Sequence, residues 1–408
     1  VSEAVVYAEL RQLIDMIDVD APCLETGRRR QGAVWRGEAP DRVPILLGRS
    51  ESRQVADRVG PQFFRLCEHQ LRGGPAVPEY HEFDHYTLRE QFHDPRKMLV
   101  ESLWDMVGWA RARSDAQLSF RPNFGVPTVA SVFGCGAEMG ENDMPWVTDR
   151  PSREALLEVE VDGIERRGLV PRVVEFIELA QEALAALPEV HVFMPDTQGP
   201  MNLAFLLREQ GIMIDMLEDA AYFHRLLERI CDVFIALSRY FKGLLKEPLD
   251  GGVHGSLYMA GGGVRIVDDV SIMLSPEQYR EFVLPYVRRC LAPFGGGWVH
   301  SCGDISHQLG FYLETEEIKG VNFGEPEYYD FAELLPRFAA SGTFCYGGPV
   351  RRDDESADAY LARTAACVSG SPHALIFQPR MQGQDMREGE WPATEAILAR
   401  WAELCGGG

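Results

Sequence analysis

His300 and Cys302 stand two residues apart in Gly295-Gly-Gly-Trp-Val-His-Ser-Cys-Gly303, a glycine turn, a short apolar run and a closing glycine. Strand side chains alternate faces with period two, so this imidazole and this thiol leave the end of one strand in the same direction. The pair supports half of a zinc site; the alternative is a buried thiol beside a hydrogen-bonded core histidine. Other chemically capable residues also fall at the ends of apolar runs: Asp196 with Gln198, His254, Glu325, Cys345, and Gln378 with Arg380. Glu325 closes the run after the His/Cys one and can reach the same point as a third ligand, or else cap the next helix. Cys345 lies one run further on and is a fourth ligand or a structural thiol. Asp196 and His254 are candidates for orienting a substrate or handling its protons. Gln198, Gln378, Trp146 and Tyr258, with Tyr328, are candidates for lining a substrate pocket. Gly261-Gly-Gly263 with Asp268-Asp269 lacks both the P-loop Lys-Ser/Thr and the dinucleotide glycine spacing, so it reads as a flexible loop.

The elements that must carry these residues form a rhythm. Strands are expected at Ile45–Leu47, Thr128–Phe133, Val190–Pro195, Gly251–Met259, Gly297–Ser301, Ile318–Phe323, Thr343–Tyr346 and Ala374–Phe377. Helical patterns separate most of them. Alternating β and α elements predict a parallel sheet, and eight strands predict an α/β (β/α)8 barrel, whose chemistry sits at the carboxyl ends of the strands. No linker rich in Pro, Gly or Ser interrupts it, so residues 1–408 are expected to form a single barrel domain, with 1–40 as an N-terminal helical extension. The irregular stretch 134–147 is long enough to serve as a functional loop at the rim.

Composition narrows the function classes. Forty Lys+Arg against 62 Asp+Glu give a net charge of −22, which repels nucleic acid and anionic membranes. Nine cysteines without regular spacing, no signal-like start and no apolar run of membrane length point to a reduced, cytoplasmic protein.

Four segments together resemble the uroporphyrinogen decarboxylase superfamily: Arg36-Gly-Glu-Ala-Pro-Asp-Arg-Val-Pro44, Gly199-Pro-Met-Asn-Leu-Ala204, Ser275-Pro-Glu-Gln-Tyr-Arg-Glu-Phe-Val-Leu-Pro-Tyr286 and His300-Ser-Cys-Gly303. True decarboxylases of that family carry an R-Q-A-G-R type run, which Gly48-Arg-Ser-Glu51 does not match. The other branch contains zinc methyltransferases working with corrinoid proteins, and His300 and Cys302 match its H-x-C. Glu325 matches a carboxylate some relatives use. On the last strand, where that branch has a Cys, His373–Gly383 offers Gln378 or Gln382, and Gln is a poor zinc ligand. The resemblance implies a zinc-dependent methyltransferase exchanging a methyl group between a small substrate (an O-methyl compound or a thiol) and the corrinoid of a partner protein. It also implies a homodimer. A metal-free decarboxylase or lyase using Asp196 and Arg380, and a non-catalytic corrinoid- or tetrapyrrole-binding protein, are the competing readings.

Overall fold

The computed structural model describes residues 3–48, 86–140, 143–352, 354–379 and 394–406. His69, His81, His85, Arg380, Gln382 and most of Gly48–Glu51 lie outside them.

In chain order the strands are β1 (Leu118–Phe120), β2 (Gly136–Glu138), β3 (Trp146–Thr148), β4 (Val190–Val192), β5 (Gly251–His254), β6 (Leu257–Ala260), β7 (Val264–Val267), β8 (Gly297–Ser301), β9 (Ile318–Phe323), β10 (Phe344–Gly347) and β11 (Leu375–Phe377). The last five form one parallel sheet in the order β11-β10-β9-β8-β7, and β1 pairs in parallel with β4. Ile45 bridges in parallel to Phe377, and the Asp115 N–H donates to the Ile45 carbonyl at 3.0 Å, joining the sheet to the β1 side. With helices outside, this is the distorted (β/α)8 barrel the sequence predicts, preceded by the helices Glu3–Met16 and Ala21–Trp35.

Alternation on the strands sorts the core. Val299, Val321, Cys345, Leu375 and Phe377 face the surrounding helices. Trp298, Phe344, Tyr346 and Ile376 face inward, packed with Leu257 and Met259 of the β5–β6 hairpin and with Val34 and Trp35. The hairpin and the end of the Ala21–Trp35 helix thus plug the amino end of the barrel. Lys242 anchors the hairpin, donating to the Gly251 carbonyl at 2.7 Å and pairing with Glu247 at 3.2 Å.

Two expected strands are corrected. Thr128–Phe133 is helical, a turn at Pro127–Ala130 followed by a tighter one at Ser131–Phe133, because Pro127 starts a helix well and removes a strand donor. The second barrel strand is Leu118–Phe120. Gly251–Met259 is an antiparallel hairpin, and the barrel strand is the next run, Val264–Val267. Between β4 and β7, where no ladder forms, the chains close by contact: a Cβ on Gly199 would sit 2.2 Å from the Val267 carbonyl oxygen. Only glycine admits that approach.

No described helix is long and apolar enough to cross a membrane.

Candidate metal centre and active site

Three donors meet where β7 and β8 end. Asp269, His300 and Cys302 offer ligand atoms that all lie within 4.8 Å of one another. The Cys302 Sγ is 3.4 Å from the His300 Nε2, and that nitrogen is 3.7 Å from the Asp269 Oδ1. Ligand atoms 2.0–2.3 Å from one tetrahedral zinc are themselves about 3.3–3.8 Å apart. The donor set, one carboxylate, one imidazole and one thiol, therefore fits a zinc with an open fourth position.

Local hydrogen bonds hold this geometry. The Asn322 side-chain amide donates to the Tyr346 carbonyl at 2.6 Å, which turns its oxygen toward the His300 Nδ1, also at 2.6 Å. Nδ1 then carries the proton and Nε2 presents its lone pair to the cluster, so the Asn322 oxygen fixes the tautomer that can bind a metal. The Cys302 N–H donates to the Asp269 Oδ1 at 2.8 Å, tying the two strand ends together. Asn202 donates to the Asp269 Oδ2 at 3.3 Å and accepts from the Val270 N–H at 3.0 Å. Gly324 crosses directly beneath the thiol, where a Cβ would lie 2.7 Å from Sγ.

Glu325 and Cys345 are placed elsewhere. The Glu325 carboxylate accepts the Gly303 N–H, and Tyr329 accepts from the Ile305 N–H at 2.8 Å while donating to the Gly303 carbonyl at 2.9 Å. Both brace the turn after Cys302. Cys345 is fully buried in the layer between strands and helices. Asp269 is the candidate ligand the sequence reading missed. Its signal was the acidic pair Asp268-Asp269, which becomes a strand end once Val264–Val267 is recognised as a strand.

Deeper in the mouth is a narrow cleft lined by Met194 to Gln198, His254, Arg265 and Val267. Burial opposes the charge on Asp196, but Arg121 at 3.5 Å, Arg265 and the Gln198 N–H outweigh it and hold its pKa below the usual carboxylate range. Gln198 has a positive φ of 57°, a strained conformation that aims its oxygen at Asn202, 3.3 Å away. His254 stacks obliquely on Phe193 at 4.5 Å and meets the edge of Trp298 at 5.2 Å. Burial, reinforced by Arg265 and Arg121, pushes its pKa well below 6.5, so it is neutral at physiological pH. A histidine that must fold neutral stabilises fully above its unfolded pKa and costs stability as pH falls beneath it. Stability is therefore expected to drop below about pH 6.5 with a His254 contribution of up to about 1.4 kcal/mol per pH unit. Denaturant melts from pH 5 to 7 should show that slope flattened in His254→Leu.

The remaining pocket candidates spread out. Trp146 sits on the antiparallel β2–β3 hairpin after β1 and is 53% exposed, and Tyr328 after β9 is 59% exposed, both at carboxyl-end loops. Gln378 ends β11, its N–H bonded to the Gly347 carbonyl at 2.8 Å. Tyr258 lies in the plug, its N–H donating to Gln31 at 2.7 Å, and so belongs to the closed end.

The family profile described as uroporphyrinogen decarboxylase (URO-D) matches residues 74–329, well over half of the chain. The chain belongs to this family. A solved structure of a methyltransferase from Methanosarcina mazei superposes with a TM-score of 0.61 over 93% of this chain and 98% of that one. At 16% identity that likeness is one of fold. No curated protein matches the sequence. Within the URO-D family this member has Asp269, His300 and Cys302 converging at its barrel mouth.

Proposed function

We propose that this URO-D-family chain is a zinc-dependent methyltransferase that moves a methyl group between a small substrate and a corrinoid carried by a partner protein. The observation that carries the reading is the convergence of Asp269, His300 and Cys302 at spacings suited to one tetrahedral ion, with the His300 tautomer fixed by Asn322. Bound there, zinc would supply a Lewis acid to the heteroatom that gives or receives the methyl group, and the corrinoid would supply the methyl carrier.

The chain's own part is positioning. Asp269, His300 and Cys302 would hold the ion, leaving one position facing the mouth. A single thiolate among the ligands leaves the ion more positive than a thiolate-rich set does, which favours a poor methyl donor such as an ether. Neutral His254 cannot donate a strong charge to the substrate, while ionised Asp196 can accept a hydrogen bond from it. The exposed Trp146 and Tyr328 stand on loops where a partner's cofactor would approach.

The test is methylation of cob(I)alamin, followed by its absorbance, with a panel of methyl ethers and methyl thioethers. Zinc-loaded protein is expected to yield methylcobalamin, while chelated protein and the His300→Ala/Cys302→Ala variant do not. Turnover that survives complete chelation would instead support a metal-free decarboxylase or lyase on the same barrel. Zinc-loaded protein that binds corrinoid but transfers nothing from any donor would support the binding-protein reading.

A further inference from the structure

Consecutive residues at a strand end face opposite ways, so where Asp269 turns to the barrel mouth its neighbour Asp268 turns to the helices outside. Asp268 is buried there. Its Oδ2 accepts from the Tyr312 hydroxyl at 2.8 Å and from the Tyr279 hydroxyl at 3.1 Å. Both tyrosines are fully buried, their ring centres 5.7 Å apart, and they come from different helices, Pro276–Phe282 and Leu309–Glu314. The backbone of Asp268 is held as closely. Its N–H donates to the His300 carbonyl at 2.8 Å, and its carbonyl accepts the Ser271 hydroxyl at 2.9 Å and the Ser301 hydroxyl at 3.0 Å. From the far side of the turn, the Gln308 amide donates to the Ser271 carbonyl at 2.6 Å.

A carboxyl group is a poor choice for packing a layer between sheet and helices. Taking it out of water costs free energy that its hydrogen bonds must offset, and an apolar side chain of like size would fill the space without that cost. What the carboxyl group adds is direction. Two hydroxyls on rigid, buried rings fix where Oδ2 lies, whereas an apolar contact tolerates sliding. That placement bears on the metal cluster, because the next Cα, about 3.8 Å along the chain, carries Asp269. The backbone ties run to His300 and Ser301, on the strand that presents the other two donors, so they set the height of Asp269 against His300 and Cys302. Donors 3.4 and 3.7 Å apart match a zinc ion with little slack. Tyr279 also lies in Ser275–Tyr286, one of the four segments that carry the family resemblance, and gives that segment a task at the site.

We propose that Tyr279, Tyr312 and Asp268 are positioning residues for the metal centre, a latch on the outside of the barrel that holds Asp269 where one ion can bind it together with His300 and Cys302. None of the three touches the ion. The inference rests on the proposed function only for the metal site, and on neither the methyl transfer nor the corrinoid.

Zinc affinity by competition against a chromogenic chelator, and the d–d spectrum of cobalt(II)-substituted protein, are measured beside urea unfolding of the metal-free protein. Two variants are compared with wild type. Tyr279→Phe/Tyr312→Phe removes both hydroxyls and leaves the Asp268 carboxyl group buried without them. It should be less stable and should bind zinc about 10-fold more weakly, as when a ligand loses its supporting partner. Adding Asp268→Leu replaces the whole network by apolar groups of similar shape, a change that can restore stability. This triple variant should regain stability yet bind zinc as weakly as the double, with a cobalt spectrum altered from that of wild type. A network that merely fastens two helices to the sheet predicts that zinc affinity returns with stability. That return, or wild-type zinc affinity in the double variant, overturns the proposal. If the triple variant does not fold, Tyr312→Phe alone decides, since it removes one hydroxyl and no carbon: unchanged zinc affinity and an unchanged cobalt spectrum overturn the latch. Wild type that takes up no zinc overturns the proposed metal centre and the latch with it. Wild type that binds zinc beside unaffected variants overturns the latch alone.

Discussion

Asp269→Ala protein purified without a metal-binding tag is expected to contain almost no zinc, where wild type carries close to one per chain. His300→Ala and Cys302→Ala should behave likewise, because a site of three protein ligands that loses one has two left. Asn322→Ala should be intermediate: its amide only orients His300, and loss of a hydrogen bond to a ligating histidine typically weakens metal binding by about 10–100-fold. Glu325→Gln and Cys345→Ser are the contrast. Glu325 spends its carboxylate on the Gly303 N–H, and Cys345 faces the helical layer. Both should retain zinc, although Glu325→Gln loosens the turn behind Cys302. Zinc per chain by elemental analysis, with competition against a chromogenic chelator, checks the whole series. A full zinc complement in Asp269→Ala alongside loss in Glu325→Gln would mean that the site is built around the other carboxylate.

The second large effect is on stability, at the opposite end of the barrel. Asp115→Ala is expected to cost about 3–5 kcal/mol in urea or thermal unfolding, the usual range for stripping one partner from a buried ion pair. Asp115 is 3% exposed in its side chain and accepts from Arg30 and Arg42, each at 2.7 Å, and from the Ile45 N–H at 3.0 Å. Removing it takes the carboxylate from Arg42, leaves Arg30 with Asp41 alone, and costs the first barrel segment the Ile45 tie, leaving it the Asp115 N–H, the Ser114 hydroxyl and the bridge to Phe377. Asp115→Asn should cost less, because it keeps an acceptor. A Asp115→Ala protein that melts within a degree or two of wild type would refute this account.

Those two variants also mark what could be read from the sequence. Glycine followed by an apolar run and His-Ser-Cys announces a strand end whatever the surroundings, and period-two alternation is enough to align His300 with Cys302. The same alternation also carries Cys345 away: between inward Phe344 and Tyr346 it has to face outward, a parity argument available from three residues. Asp269 was harder. The run Gly251–Met259 is as strand-like as Val264–Val267, and nothing local says that the first folds back on itself while the second joins the sheet. That choice depends on Lys242, Glu247 and the glycines at 261–263, which meet only in three dimensions. Thr128–Phe133 failed for a related reason, since its β-branched residues outweighed the helix-starting Pro127. The Arg36–Pro44 segment was legible as a family signature, but its physical role, delivering Arg42 and Ile45 to Asp115, was not. The partner, Asp115, is 70 residues from Ile45.

The plug formed by β5, β6 and Trp35 sets an order of events. A vessel stoppered at its base is filled and emptied through one door. A macromolecule lying across the mouth would shut in whatever small molecule had already entered, and would keep out whatever had not. For the proposed reaction the small substrate must therefore come first and the large one second, and the demethylated product can leave only after the partner lifts away. Steady-state kinetics with a protein-borne corrinoid should accordingly be sequential and ordered, with the small product competing against the small substrate alone. Free cobalamin, too small to cover the opening, should relax that order.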